Sequence, residues 1–369
     1  LNHSSIVEGV RGSGARVQPF VHNNMEHLES VLWRATESGQ PDGTPWRKII
    51  IVVEGIYSME GQFCSLRTIV QLKKRYRAYL YLDEAHSIGA VGPRGRGATD
   101  HLGVPTSEVD VMMGTFTKSF GSIGGYIAGS RDLIDALRRH SAASLYAPAM
   151  SVPAVAQALG AFRIIMGTDG RSGDLGVRKI RQLRENSNTF RKGLQEIGCR
   201  VLGDLDSPVI PIMLYHPEKI SAFSRACLER NLATVVVGYP ATPLLLSRAR
   251  FCIAASHTPE MMEHALAQIK AAAEEVGVRY DRSAADAARR EGRSLDEAAE
   301  ARKQELLHAP MEALPATTWV PEPLVPPTNW DATPPAEAFA EARAAAALPP
   351  PPLELRRTDF VRLAVDAAP

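Results

Sequence analysis

Four side chains capable of shared chemistry sit just beyond two short apolar runs. Tyr79-Leu80-Tyr81-Leu82 leads into Asp83-Glu84-Ala85-His86, and Val109-Asp110-Val111-Met112-Met113 leads into Gly114-Thr115-Phe116-Thr117-Lys118. Apolar runs of this length, bounded by polar and glycine signals, predict buried strands. In open α/β sheets, ligands bind beyond the carboxyl ends of the strands, so Asp83, His86, Thr115 and Lys118 are expected to converge on one crevice. An acid, an imidazole, a hydroxyl and a lysine suit pyridoxal phosphate (PLP). Its aldehyde needs a lysine for a Schiff base, its pyridine nitrogen a carboxylate, and its phosphate hydrogen-bond donors. Taken singly, Asp83 is an ordinary cap and Lys118 an ordinary surface lysine. Taken together, ahead of Gly121-Ser122-Ile123-Gly124-Gly125, they favour the cofactor.

Other readings of these residues fare worse. Asp-Glu-Ala-His has the form of a helicase box, which requires a G-x-x-x-x-G-K-[ST] phosphate loop. The chain contains no Gly-Lys dipeptide. A net charge of +1 over 369 residues supplies no basic field for nucleic acid. The four cysteines, Cys64, Cys199, Cys227 and Cys252, are widely spaced without a metal-type pair, so no metal site is expected and ordinary buried thiols are. No apolar stretch reaches the ~20 residues of a membrane helix. Val152 to Met166 comes nearest, but Arg163 interrupts it. The chain opens on Leu1-Asn2-His3-Ser4 without a starting Met or a signal pattern, so it is expected to begin inside a domain.

The elements that must position the crevice follow in order. Arg16 to Phe20 reads as a short strand. A helix capped by Asn23 or Asn24 follows, with Leu28, Val31 and Leu32 on one face and Gly39 beyond its end. Ile49 to Val53 is apolar on both faces, as in a parallel sheet, and delivers Glu54 and Ser58 to the same rim. Leu66, Ile69 and Val70 mark a crossover helix with Lys73, Lys74 and Arg75 in its last turns. Repeated strand–helix–strand alternation argues for a sheet covered by helices. Ser130 caps another helix, and longer helices are expected near 152–167 and 177–197. A smaller α+β part follows: a strand at Val209 to Leu214 that Pro211 marks as an edge, a helix from Glu218 to Arg230, and strands at Thr234–Val237 and Arg250–Ala254. A helix opened by Thr258-Pro259 and stopped by Gly277 completes it. Beyond Ser283 the chain turns Ala/Glu/Arg-rich and then Pro-rich, which predicts weak helix and extended segments.

Several motifs in matching order carry a family resemblance. Glu54-Gly55-Ile56-Tyr57-Ser58-Met59-Glu60-Gly61, the Asp83 box and the segment from Gly114 to Gly129 resemble the α-oxoamine synthases, a family of PLP-dependent acyltransferases. Gly114 to Gly121 and Val235-Val236-Val237-Gly238-Tyr239-Pro240-Ala241-Thr242-Pro243 are similar to the long-chain-base-two-type catalytic subunits of the eukaryotic serine palmitoyltransferases. The similarity covers roughly residues 1–282. It implies a fold type I, aspartate aminotransferase-like α/β large domain with a mainly parallel sheet (1–175) and a smaller α+β domain (176–282); the Ala/Pro-rich tail (283–369) has no counterpart in the family pattern.

The resemblance also implies roles. Lys118 would hold PLP and then remove the substrate α-proton, Asp83 would pair with the pyridinium nitrogen, and His86 and Ser58 would bond near the phenolic oxygen. Thr115 would take the phosphate, and His3, in Leu1-Asn2-His3-Ser4-Ser5, would stack on the ring. Soluble bacterial relatives place a carboxylate-gripping arginine where this chain has Gly238. Arg250 is therefore the candidate for the substrate carboxylate, with Arg248 as runner-up and a structural salt bridge as the alternative for both. The implied reaction is decarboxylative condensation of L-serine with a long-chain acyl-CoA. The implied setting is a heterodimer with a non-catalytic long-chain-base subunit at the endoplasmic reticulum membrane, facing the cytosol, with membrane association through a segment absent from this chain. Rival readings are a glycine- or alanine-using α-oxoamine synthase, and a catalytically silent partner or scaffold subunit.

Overall fold

The structure, a computed structural model, describes residues 1–281 and four further positions, Glu300, Gln304, Leu307 and His308. All of these belong to one contact unit, Leu1–Leu324; the second unit, Val325–Pro369, lies outside the described residues. The tail reading for 283–369, those four positions apart, also lies outside them.

The chain opens with α1 (Ser4–Gly12) and α2 (Met25–Ser38), the second capped by Asn24, whose side chain accepts from the His27 N–H. Then come β1 (Ile50–Glu54), α3 (Leu66–Arg75), β2 (Tyr79–Asp83), the short α4 (Ala98–His101), β3 (Val111–Thr115) and β4 (Gly125–Gly129). These strands form one sheet in the order β1-β2-β3-β4, with β1, β2 and β3 parallel and β4 antiparallel. Val53, Leu80 and Leu82 are fully buried with Leu66, Ile69 and Val70 of α3, so apolar burial of one helix stripe fixes the sheet's inner face.

Four local expectations shift. Residues 16–20 form no strand; Pro19 has no N–H to give a ladder, and Val17 and Val21 stay exposed while Phe20 alone packs on the core. Ile50 is 47 % exposed, because β1 is an edge strand of the described sheet rather than a doubly covered one. β3 begins two residues later than the apolar run, since the Asp110 carboxylate turns aside to accept the Leu80 N–H (2.8 Å) and to pair with Lys73 (2.6 Å). β4 was not expected at all: its glycine-rich sequence reads as loop. It forms because Gly124, at φ +92°, makes the turn, and Gly125 can approach the Gly114 carbonyl where a Cβ would lie 2.6 Å from that oxygen.

The second half contains α5 (Arg131–His140), capped by Ser130, the short α6 (Ala142–Tyr146), α7 (Val152–Met166) and α8 (Leu175–Ile197). After these come β5 (Val209–Tyr215), α9 (Glu218–Leu228), β6 (Val235–Val237), β7 (Ser247–Cys252) and α10 (Pro259–Val276). The three strands make an antiparallel sheet in the order β5-β7-β6, so Pro211 does sit on an edge strand. β7 begins three residues earlier than expected and leaves Ala254 outside. Phe190, Leu194, Phe223, Ile269 and Ala273 close a second core over this sheet.

The loop after β1 joins the two sheets. Asp204 Oδ2 accepts the Phe63 N–H at 2.8 Å, and the Asp204 N–H donates to the Gly61 carbonyl at 3.1 Å. Arg248, on β7, donates to the Met59 carbonyl at 2.7 Å and pairs with Glu60 at 3.1 Å. Among the described residues, no helix is long and apolar enough to cross a membrane.

Candidate active site

β1, β2 and β3 run parallel, so their carboxyl ends fall on one rim, with Glu54 opposite Asp83 and Asp83 opposite Met113 in the ladder. A cavity of about 600 Å³ opens there. Asp83, His86, Thr115, Lys118 and His3 all line it, as do Glu54, Thr117 and Tyr126. The convergence expected from the strand-end spacing is therefore present.

Asp83 is 3 % exposed, and its Oδ1 accepts the Ala85 N–H at 2.8 Å. Burial raises its pKa, opposed by that hydrogen bond and by the charges of Lys118 and His3. Lys118 stands in the turn between β3 and β4, closed by the Gly121 N–H donating to the Lys118 carbonyl (3.1 Å) and the Phe116 N–H donating to the Gly124 carbonyl (2.9 Å). Desolvation lowers the affinity of its amine for a proton, and Asp83 and Glu54 oppose that shift. Both side chains line the one cavity.

His86 is pushed down to about 3, by burial first and then by the positive charges of Lys118, Arg250 and His3. It is a neutral imidazole at physiological pH, able to donate from one nitrogen and accept at the other. The Thr115 hydroxyl donates to the Gly124 carbonyl (3.1 Å) and lies 2.8 Å from the Thr117 hydroxyl, so two hydroxyls stand side by side at the end of β3. His3 caps α1, and its Nδ1 accepts the Ser5 N–H at 3.2 Å.

Ser58 and Arg250 stand apart from this wall. Ser58 is buried in the loop after β1 and does not line the cavity. Arg250 reaches from β7 to the Ser58 carbonyl (3.3 Å), and its charge acts on both His86 and Lys118. Its Nε is buried without a hydrogen-bond partner. Arg248, by contrast, is committed to Glu60, Met59 and Leu246 and holds the two sheets together.

Sequence reasoning left three wall residues without a role. Glu54 was placed on the rim but not in the site, although an acid directly after a buried strand, in register with Asp83, is the signal that marks it. Thr117 was passed over beside Thr115. Tyr126 lies on the unforeseen β4, its ring laid over Gly114, where a Cβ would come within 2.5 Å of it. Among the described residues, no cluster of His, Cys, Asp and Glu could hold a metal ion.

The family model for aminotransferase class I and II matches residues 1–269. The chain belongs to this family. Its aminotransferase class I/II fold carries the mainly parallel sheet expected from the alternating elements. Among relatives, long chain base biosynthesis protein 2b of Arabidopsis thaliana is 58 % identical over 281 residues, which are 76 % of this chain and 57 % of that protein. Serine palmitoyltransferase 2 of Dictyostelium discoideum is 53 % identical over 270 residues, 73 % of this chain and 55 % of that one. A solved structure of SPT with PLP internal aldimine superposes with a TM-score of 0.67 at 30 % identity, covering 75 % of this chain and 66 % of the other. These relatives agree with the resemblance read from the motifs. The chain spans a little over half the length of the curated relatives it matches.

Proposed function

We propose that this chain is the cofactor-bearing portion of a serine C-palmitoyltransferase catalytic subunit. The reaction is the PLP-dependent condensation of L-serine with palmitoyl-CoA, releasing carbon dioxide and coenzyme A and giving 3-ketodihydrosphingosine. The observation that carries the reading is that Lys118 and Asp83, on neighbouring strand ends, face one cavity and act on each other's charge.

The donor set fits PLP. An amine for its aldehyde, a buried carboxylate for its ring nitrogen, a neutral imidazole and two adjacent hydroxyls line one wall. When bound, PLP supplies the electron sink that makes the α-proton of an amino acid acidic. Asp83, fixed by the Ala85 N–H, keeps the proton on the ring nitrogen. Lys118, its proton affinity lowered by burial, takes the proton from serine Cα. His86 would bond the phenolic oxygen, Thr115 and Thr117 would hold the phosphate, and His3 would cover the ring. Arg250 grips the serine carboxylate through a guanidinium whose Nε has no protein partner.

The same proposal includes a non-catalytic partner subunit of the long-chain-base type, at the endoplasmic reticulum membrane with this part facing the cytosol. Ile123, Tyr146 and Val152 are large apolar side chains left exposed, which is compatible with a covering partner. Co-purification with a candidate partner, scored for bound PLP, tests that part.

The test of the reaction is an amino-acid panel. With palmitoyl-CoA and PLP supplied, product should form from L-serine and not from glycine or L-alanine, and Lys118→Ala should abolish both turnover and the visible absorbance of lysine-bound PLP. Turnover that follows glycine or alanine would move the chain to another α-oxoamine synthase reaction. Absence of the absorbance band in the wild type would end the assignment.

A further inference from the structure

β1 holds the first residues of the chain at two points spaced by two residues. The Asn2 side chain donates through Nδ2 to the Val52 carbonyl at 2.8 Å, and the His3 backbone N–H donates to Glu54 Oε1 at 2.5 Å. One contact is to the main chain of β1 and the other to the side chain at its carboxyl end, so the pair acts as a two-point clamp on a two-residue segment. The His3 ring spends its Nδ1 on Ser5, accepting that N–H, and bonds the Ser5 hydroxyl at 2.8 Å. Where the imidazole stands over the cavity is therefore set by its backbone, and the backbone is held by Glu54.

Glu54 is 3 % exposed, lines the cavity and lies in ladder register with Asp83. Two carboxyl groups on adjacent strand ends resist joint ionisation, and burial together with the Asp83 charge lifts Glu54 to about 7. A carboxyl group accepts a backbone N–H in either protonation state, so the clamp does not depend on its charge.

We propose that Glu54 is a positioning residue, which clamps the His3 backbone so that the imidazole stays over the cavity. That the imidazole there meets PLP and serine rests on the proposed function; the clamp itself does not.

Two measurements on the whole chain separate the claims. Hydrogen–deuterium exchange of the segment 1–12, without PLP, reads the clamp directly. Glu54→Leu should speed exchange there about tenfold, the scale expected for losing a hydrogen bond to an ionisable acceptor, and Glu54→Gln, which keeps a carbonyl acceptor, should match wild type. Asn2→Ala should loosen the same segment, and it provides a solvent-side variant should Glu54→Leu fail to fold. Unchanged exchange in Glu54→Leu, or in Asn2→Ala if that is the variant that folds, would overturn the clamp. Loosening in Glu54→Gln equal to that in Glu54→Leu would show that charge, not the acceptor, is what matters, and would overturn it too.

The second measurement is a double-mutant cycle on the serine KM. Glu54→Leu and His3→Ala should each raise it, and the double variant should be no worse than His3→Ala alone. Multiplying effects would place the action of Glu54 elsewhere. If the wild type binds no PLP, the proposed function fails while the exchange result still decides the clamp.

Discussion

At the scale of single residues, the site depends on buried charges answered by few partners. Asp83 is buried and meets the opposite charge of Lys118 across the cavity. Asp83→Asn keeps the shape and loses the charge, so kcat/KM should fall by about a hundredfold or more while far-UV circular dichroism and the melting curve stay close to wild type. Glu54 and His86 pull stability in opposite directions with pH. Glu54 rises from 4.5 to about 7 on folding, so the native state binds the extra proton between those values. Its contribution is whole below pH 4.5 and is lost as pH climbs through 7. His86 falls from 6.5 to about 3, so its contribution is whole above 6.5 and is lost as pH drops through 3. Glu54→Gln removes the first slope only. Urea titrations of the PLP-free chain should show the variant gaining on wild type by up to ~3 kcal/mol between pH 4.5 and 8.

At the scale of elements, the parallel strands stand where they do because α3 buries one stripe against them. Ile69 is fully buried at the centre of that stripe, and Ile69→Ala should cost ~2–5 kcal/mol in chemical denaturation without touching the cavity wall. Ser130 accepts the Leu133 N–H at the start of α5, and Ser130→Ala should cost ~1 kcal/mol by the same assay. These elements were readable because period and punctuation agreed: Leu66, Ile69 and Val70 fall at helical spacing, and Ser130, Asn24, Thr258 and Gly277 sit where caps belong. β4 was not readable, because the glycines that allow its close approach to β3 also weaken every local strand signal. The core of the site was legible, since Asp83 directly follows one apolar run and Lys118 comes five residues after the end of the next. Glu54 was half legible: its rim position followed from the strand, but its bond to the His3 backbone joins residues 51 apart, a contact that no local pattern announces.

At the scale of the whole described unit, a few polar contacts through the loop after β1 hold the two sheets in fixed relation. Arg248 and Glu60 supply the ion pair among these, with side chains only 5 % and 13 % exposed. Arg248→Ala strands Glu60 and two carbonyls, those of Met59 and Leu246, and should lower unfolding stability by ~3–5 kcal/mol; replacing both partners by apolar residues of similar volume should recover most of it. Wild-type-like denaturation of Arg248→Ala would mean the sheets are joined mainly elsewhere.

The groups assigned to hold PLP hang from the parallel sheet, whereas the guanidinium assigned to serine crosses over from β7. On the proposed function, retention of the vitamin-derived prosthetic group and preference among amino acids would reside on separate pieces of backbone. Drift along the second would then retune the substrate while the first kept its hold on the cofactor, giving selection two dials where a single-sheet pocket would give it one.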